Sequence, residues 1–338
     1  MNVAASNRFS KGNAIKWLKN NVMYLVLILM LVFFATQHKN FLTVGNLMNV
    51  LNQSSYQIIV GVGMVFVMLS GGMDLSVGYQ MSVVSVLVGI MLTKTSTPIP
   101  VVVLLAIVAG IVLSLVNGVL VARLKVFPFI ITLATSYIYQ GLSYILSNAS
   151  SYLNFPAGFR AIGQGSIGGV IPNGIVIMIV CVIVGAVILN RTYFGRYVYG
   201  LGGNPEAISL AGVNIQKMQL LIYGLAGAFV ALGTIVLVSR AGSSSSTMGP
   251  GTEFTIIAGG MLGGLRLGGG GGKVSNIVLG VILLTVLSNG MQLMGLKAYP
   301  QYVAQGLVLI CALALDVYQR NSVIKKAKNV KGLPSDRD

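Results

Sequence analysis

The sequence predicts an all-α polytopic membrane protein of about ten transmembrane helices (eight to ten), some of them short or broken. Three observations carry this. Hydrophobic residues make up 55% of the 338-residue chain and charged residues only 8%, where an ordinary soluble domain has roughly 25% charged. The apolar residues gather into ten runs separated by short polar connections. The basic residues are spread unevenly among those connections. So few charges cannot cover a water-facing surface of this size, so lipid is the solvent for most of the chain. A soluble globular chain and a disordered one are both excluded.

Residues 1–20 are polar and basic, with Arg8, Lys11, Lys16 and Lys19. The apolar run at 21–36 follows without a clear small-x-small cleavage pattern, so it reads as a retained first span. Residues 41–55 place Phe41, Val44, Leu47, Met48 and Leu51 at helical spacing among polar neighbours. That spacing predicts a short amphipathic helix lying at the interface. The later runs are 56–70, 78–92, 100–121, 127–147, 171–190, 218–239, 253–265, 274–294 and 299–318. A full span needs about 20 residues. The runs at 56–70 and 253–265 fall short and end in glycine clusters, which predicts broken or re-entrant helices.

Ten crossings that start inside place 17 of the 22 Lys and Arg residues on the inner side and five (Lys39, Lys94, Arg160, Arg240, Lys297) on the outer side. That asymmetry puts both termini in the cytoplasm. The chain then divides into a basic cytoplasmic segment at 1–20, a membrane domain at 21–318 and a basic cytoplasmic tail at 319–338, with the longest inner loop at 191–217. The formal net charge of +16 is a topology signal here, not a nucleic-acid footprint. No connection is long enough for a soluble catalytic domain.

Cys181 and Cys311 lie within apolar runs without metal-ligand spacing and read as small apolar residues. One histidine, His38, and no acidic cluster leave no metal site in view. Glycine contributes 43 residues, well above the average of about 7%. Gly224, Gly227, Ala228 and Gly233 read as a face for close helix packing. Residues 71–78 (GGMDLSVG) and 263–270 (GGLRLGGG) resemble each other, and each follows an apolar run ending in Met-Leu. They read either as paired helix interruptions in two halves of a transport fold or as coincidence in a glycine-rich chain.

The stretch GGGGGK at 268–273 invites comparison with a phosphate-binding loop. The motif fails at both fixed ends, with Leu267 where its first glycine belongs and Val274 where Ser or Thr belongs. The glycines read as a tight turn. Asp74 is one of only six acids. Acids in or near a membrane are unfavourable and usually have a task. Two readings stand: a gate or substrate contact, or a cap for the next helix. In 195–214, Asn204, Pro205, Glu206 and Ala207 form a helix start, with Asn as N-cap, Pro at N1 and an acid in the first turn. A short helix over 205–211 that stops near Gly212 follows, either as loop filler or as a docking element.

At these residues the chain resembles the permease subunits of ribose-type bacterial ABC sugar importers. LSGGMDLSVG at 69–78 resembles that family's S-G-G-[IM]-D-L-S-V-G. FGRYVYGLGGNPEA at 194–207, with LAGV at 210–213, resembles G-R-x-x-Y-A-x-G-G-N-x-x-A-A followed by G-I. RLKVFPFIITLAT at 123–135 resembles P-[AP]-F-I-x-T-L-A-T. Order and spacing agree over nearly the whole chain.

The resemblance implies a multi-pass subunit of the bacterial inner membrane that imports a monosaccharide or similar small polar solute by alternating access. It implies that ATP and Mg are bound by separate cytoplasmic ATPase subunits, with no cofactor and no catalytic residue on this chain. It also implies a second permease chain, identical or not, and an extracytoplasmic sugar-binding protein. Gly202, Gly203, Asn204, Pro205, Glu206, Ala207 and Gly212 become the contact with the ATPase. Asp74, Ser76 and Glu253 become pathway or gate residues. The family pattern E-[FL]-D-A-I-A is altered here: Glu253 and Phe254 are kept, Thr255 stands in place of the Asp, and Arg266 is added downstream. An ion-coupled secondary transporter working without an ATPase is the alternative, with Asp74 its one central acid. A membrane-embedded enzyme is disfavoured by the absence of a nucleophile–base pair.

Overall fold

Two long helices that cross antiparallel at glycines set the architecture. The computed structural model describes residues 22–311 and residue 314, apart from Ser96 and Lys125. In chain order the helices are α1 (Val22–Gln37), α2 (Val44–Leu69), α3 (Val77–Thr93), α4 (Ile99–Leu124), α5 (Pro128–Ser147) and α6 (Ala157–Gln164). A two-residue hairpin, β1 (Ser166–Ile167) with β2 (Ile171–Pro172), precedes α7 (Asn173–Arg191), α8 (Tyr193–Gly203), α9 (Pro205–Leu210) and α10 (Ile215–Ala241). Then come α11 (Thr252–Gly263), α12 (Val274–Leu293) and a last helix α13, described over 298–311. Over the described residues each apolar run contributes a helix. Six of them (α2, α4, α5, α7, α10, α12) are long and apolar enough to cross a membrane, and α1 and α3 are shorter apolar helices. The predicted cytoplasmic segments 1–20 and 319–338 lie outside the described residues.

The expected interfacial helix at 41–55 is not separate. It is the first half of α2, which runs unbroken for 26 residues, so the run at 56–70 is not a short helix either. Asn46 near its start finds its partner in protein. The side-chain amides of Asn46 and Asn289 on α12 exchange hydrogen bonds of 2.9 and 3.0 Å. The run at 253–265 is short, as expected, and forms the 12-residue α11.

The core lies where α2 meets α10. A Cβ on Gly63 would sit 2.9 Å from the Ala226 carbonyl oxygen, and one on Gly233 would sit 2.8 Å from that of Tyr56. These contacts are mutual images, with residues roughly 170 apart exchanging roles. The likeness extends outward. Gly110 of α4 packs on Gly227 and Ala231 of α10, as Gly61 of α2 packs under Ile277 of α12. Each half reads as long helix, break, short helix, long helix: α2, 70–76, α3, α4, then α10, 242–251, α11, α12. This is an inverted repeat. It corrects the pairing of 71–78 with 263–270: those glycine stretches touch each other instead of standing in for each other. The repeating sequence lies where each break gives way to the short helix, as acid, apolar, hydroxyl, β-branched: Asp74-Leu75-Ser76-Val77 and Glu253-Phe254-Thr255-Ile256.

Gly280 of α12 shows what the packing demands. A Cβ there would overlap the backbone of Gly259 on α11, with the Gly259 Cα at 2.8 Å. Gly280→Ala is expected to force the two helices apart and lower stability by about 1–3 kcal/mol. Thermal unfolding in detergent checks this, and a wild-type midpoint would refute the close approach.

Candidate functional site

The connections between helices fall into two sets. At one end, Gly270 N donates to Leu69 O at 2.9 Å, the Tyr199 hydroxyl donates to Gly272 O at 2.7 Å, and Gln216 reaches Ala122 O at 3.5 Å. At the other end, Tyr152 and Ser244 form a backbone bridge and Lys94 lies over the Tyr152 ring at 5.4 Å. There Gly163 N also donates to the Ser239 hydroxyl at 2.6 Å.

The first break carries Asp74 and Ser76, both fully buried. Thr132 of α5 bridges it, accepting from Leu75 N and donating to Met73 O, each at 3.1 Å. Asp74 Oδ1 accepts from Ser76 N at 2.8 Å and from the Ser76 hydroxyl at 2.6 Å, and Oδ2 accepts from Gln80 Nε2 at 3.4 Å. Ser76 Oγ in turn accepts from Gln80 and from Asn117 of α4, each at 2.7 Å. Ser114 donates to Gln80 Oε1 at 2.6 Å, and Tyr139 of α5 donates to Leu113 O at 2.7 Å. The network therefore pins the start of α3 to α4 and α5. Asp74 is not a helix cap in the strict sense. Ser76 holds the N-cap position, and Asp74 binds the N–H of that residue, closing a turn before the helix. Sequence reading found Asp74 and missed Gln80, Ser114, Asn117 and Tyr139. Their polarity inside apolar runs was the available signal, since buried polar groups are found with partners.

The second break runs back along α3. Ser85 donates to Ser245 O at 3.4 Å and Ser82 to Met248 O at 2.9 Å. Gly249 reaches Gly78, where a Cβ would lie 2.7 Å from the Gly249 carbonyl oxygen and overlap the Glu253 carboxylate. Gly251, at φ +91°, turns the chain into α11. Glu253, in the first turn of α11, is fully buried. Both its oxygens rest on one donor, Gly251 N, at 3.1 and 3.0 Å. The two buried acids thus differ: Asp74 is held by side-chain and backbone donors of its own network, whereas among the described residues no side chain donates to Glu253, which has acceptor capacity to spare. Thr255, on the same short helix, is partly buried, and Arg266 lies past its end.

The segment after α7 forms two helices, of which α8 went unread in the sequence. Thr192 caps α8 through Gly195 N at 3.2 Å, and Arg196 stacks on the Tyr193 ring at 4.2 Å. Asn204 caps α9 by accepting from Ala207 N at 3.0 Å, with Pro205 at N1 and Glu206 in the first turn, as the sequence predicts. Gly212, at φ +83°, ends it. Ile208 folds α9 back on Gly200 of α8. No residue of α9 is buried, and Leu210 is 90% exposed. Gly202 lies against Leu69 and Gly270, whereas Gly203 faces open space.

Comparison with known proteins follows this geometry. The family model described as "Branched-chain amino acid transport system / permease component" matches residues 46–313. The galactose/methyl galactoside import permease protein MglC of Salmonella typhimurium is 35% identical, covering 91% of this chain and 96% of that protein. The ribose import permease protein RbsC of Bacillus subtilis is 34% identical, covering 87% and 91%, and that of Escherichia coli K12 is 33% identical, covering 89% and 94%. No solved structure matches the chain.

Proposed function

Because the chain belongs to this family of transport-system permease components, we propose that it is the translocation subunit of an ATP-driven importer for a monosaccharide or similar small polar solute. It is a multi-pass protein of the inner membrane. The relatives named above are import permeases for galactose and ribose, which favours a sugar over the amino acids in the family description. Among the described residues no connection holds a nucleotide-binding domain, and in this reading ATP and Mg belong to partner ATPase subunits. A second permease chain and an extracytoplasmic binding protein complete the assembly. The division of connections into two sets supports the inner placement of 191–217 that the charge asymmetry gives.

The observation that carries the reading is α9, a capped helix with no buried residue seated on a buried platform. It is the surface on which the ATPase docks, with Gly202, Gly203, Asn204, Pro205, Glu206, Ala207 and Gly212 shaping it. The inverted repeat supplies the alternating element, since exchange of conformation between two such halves opens a central site to either side. Within it, Glu253 is the pathway residue, and Asp74 with Ser76 holds the first break in place. Sugar hydroxyls suit a carboxylate with unused acceptor capacity.

Gentle purification of the tagged chain from its native membrane, with mass spectrometry of its companions, tests the assignment. A stoichiometric ATP-binding protein is expected. Recovery of the chain alone after mild crosslinking, with uptake that collapses with the proton gradient, would install the ion-coupled transporter instead. Glu206→Arg is expected to reduce ATPase co-purification at least fivefold at normal expression. Unchanged transport in that variant would remove α9 from the interface.

A further inference from the structure

We propose that Tyr199, Gly202 and Gly270 form a joint that carries the displacement of α9 at once to the first helix break and to the far end of α11, the helix bearing Glu253. This rests on the reading of α9 as the ATPase contact. Three backbone segments meet here at glycines. The last turn of α8, immediately before α9, is the first. The inner end of α2, where the break bearing Asp74 begins, is the second. The glycine loop after α11, the helix bearing Glu253, is the third.

The contacts are close and directional. Leu69 O accepts from Gly270 N at 2.9 Å, which ties the first break to the glycine loop. The Tyr199 hydroxyl donates to Gly272 O at 2.7 Å, which ties α8 to the same loop. A Cβ on Gly202 would overlap the Leu69 carbonyl and lie 2.5 Å from Gly270 N. A Cβ on Gly269 would lie 2.6 Å from Gly71 N and 2.8 Å from the Gly202 Cα. Gly269, Gly270 and Gly272 adopt φ of +79°, +69° and +135°, a region open to glycine at no steric cost.

Backbone packed on backbone has no rotamer with which to absorb a shift. Packed interiors transmit such displacements instead of damping them. A push on α9 therefore moves Leu69 and Gly270 together, and with them the start of the first break and the loop that ends α11. The five-glycine run that resembles a phosphate loop has here a mechanical reason for its composition. Gly71 of the first look-alike stretch and Gly269 and Gly270 of the second supply glycine to one contact.

The test uses the full complex of permease, ATPase and binding protein in proteoliposomes, with assembly, ATPase rate and uptake measured separately. Tyr199→Phe deletes one hydroxyl and Gly202→Ala wedges the joint. Gly268→Ala, whose Cβ would meet open space, is the control in the same loop. For Tyr199→Phe the expected result is a normally assembled complex that still hydrolyses ATP, in which solute-loaded binding protein no longer stimulates hydrolysis and uptake per ATP falls at least fivefold. In Gly202→Ala uptake per ATP should fall at least tenfold. Gly268→Ala should stay coupled. Full coupling in an assembled Tyr199→Phe complex overturns the joint, whether or not Gly202→Ala assembles. Failure of the wild-type chain to bring down any ATPase overturns the importer reading itself, an outcome readable before any variant is made.

Discussion

Asp74→Ala is expected to destabilise the protein by about 3–5 kcal/mol and to lower its yield from the membrane. The substitution orphans the Ser76 N–H and the Ser76 hydroxyl, which both end on Asp74 Oδ1, and removes the weaker acceptor for Gln80. Each buried donor left unpaired costs roughly 1–3 kcal/mol, and a pinned network loses more than one member at a time. Asp74→Asn retains Oδ1 for both Ser76 donors and is expected to stay within about 1 kcal/mol of wild type. The unfolding midpoint of the two variants in one detergent separates them. A wild-type midpoint for the alanine variant would show that the network does not hold the break.

Glu253→Gln reverses the pattern. Glutamine keeps the shape and still offers one oxygen to Gly251 N, which donates to the carboxylate. Stability is expected to change by less than about 1 kcal/mol, while uptake by the intact complex falls at least tenfold. Uptake at the wild-type rate, with folding intact, would remove Glu253 from the pathway. Asp74→Asn serves as the comparison, since a neutral amide there should leave uptake within a factor of about two. Together the variants ask whether two acids in matching sequence surroundings have divided holding and handling between them.

What the sequence made legible followed from local chemistry. Asn204, Pro205 and Glu206 announce a helix start, and Gly212 announces its end, because capping depends on neighbours in sequence alone. The apolar runs announce their helices for the same reason. Where the partner is distant, the reading slipped. Asn46, Asn49 and Asn52 looked like the wet side of an interfacial helix, yet Asn46 answers to Asn289, 243 residues away. Helix α8 was missed because Gly195, Gly200, Gly202 and Gly203 argue against helix, and Gly195 and Gly202 are there for close backbone approach. The repeat was paired wrongly because glycine likeness outweighed the quieter order of acid, apolar, hydroxyl and β-branched residue. Gln80, Ser114 and Asn117 gave no local signal of their convergence on Asp74, since only the fold brings α3 and α4 together.

The Asn46–Asn289 amide pair also bears on how the chain is made. Ribosomes deliver α2 long before α12, and α2 is among the most buried of the long helices. During most of synthesis Asn46 and Gln57 therefore lack their partners Asn289 and Thr285 on α12. The more apolar α4 and α7 can settle in lipid at once, but α2 must be sheltered by the insertion machinery or held loosely until α10 and then α12 emerge. Biogenesis is thus inside-out in time: the centre of the finished protein is among the first parts translated and the last to be secured.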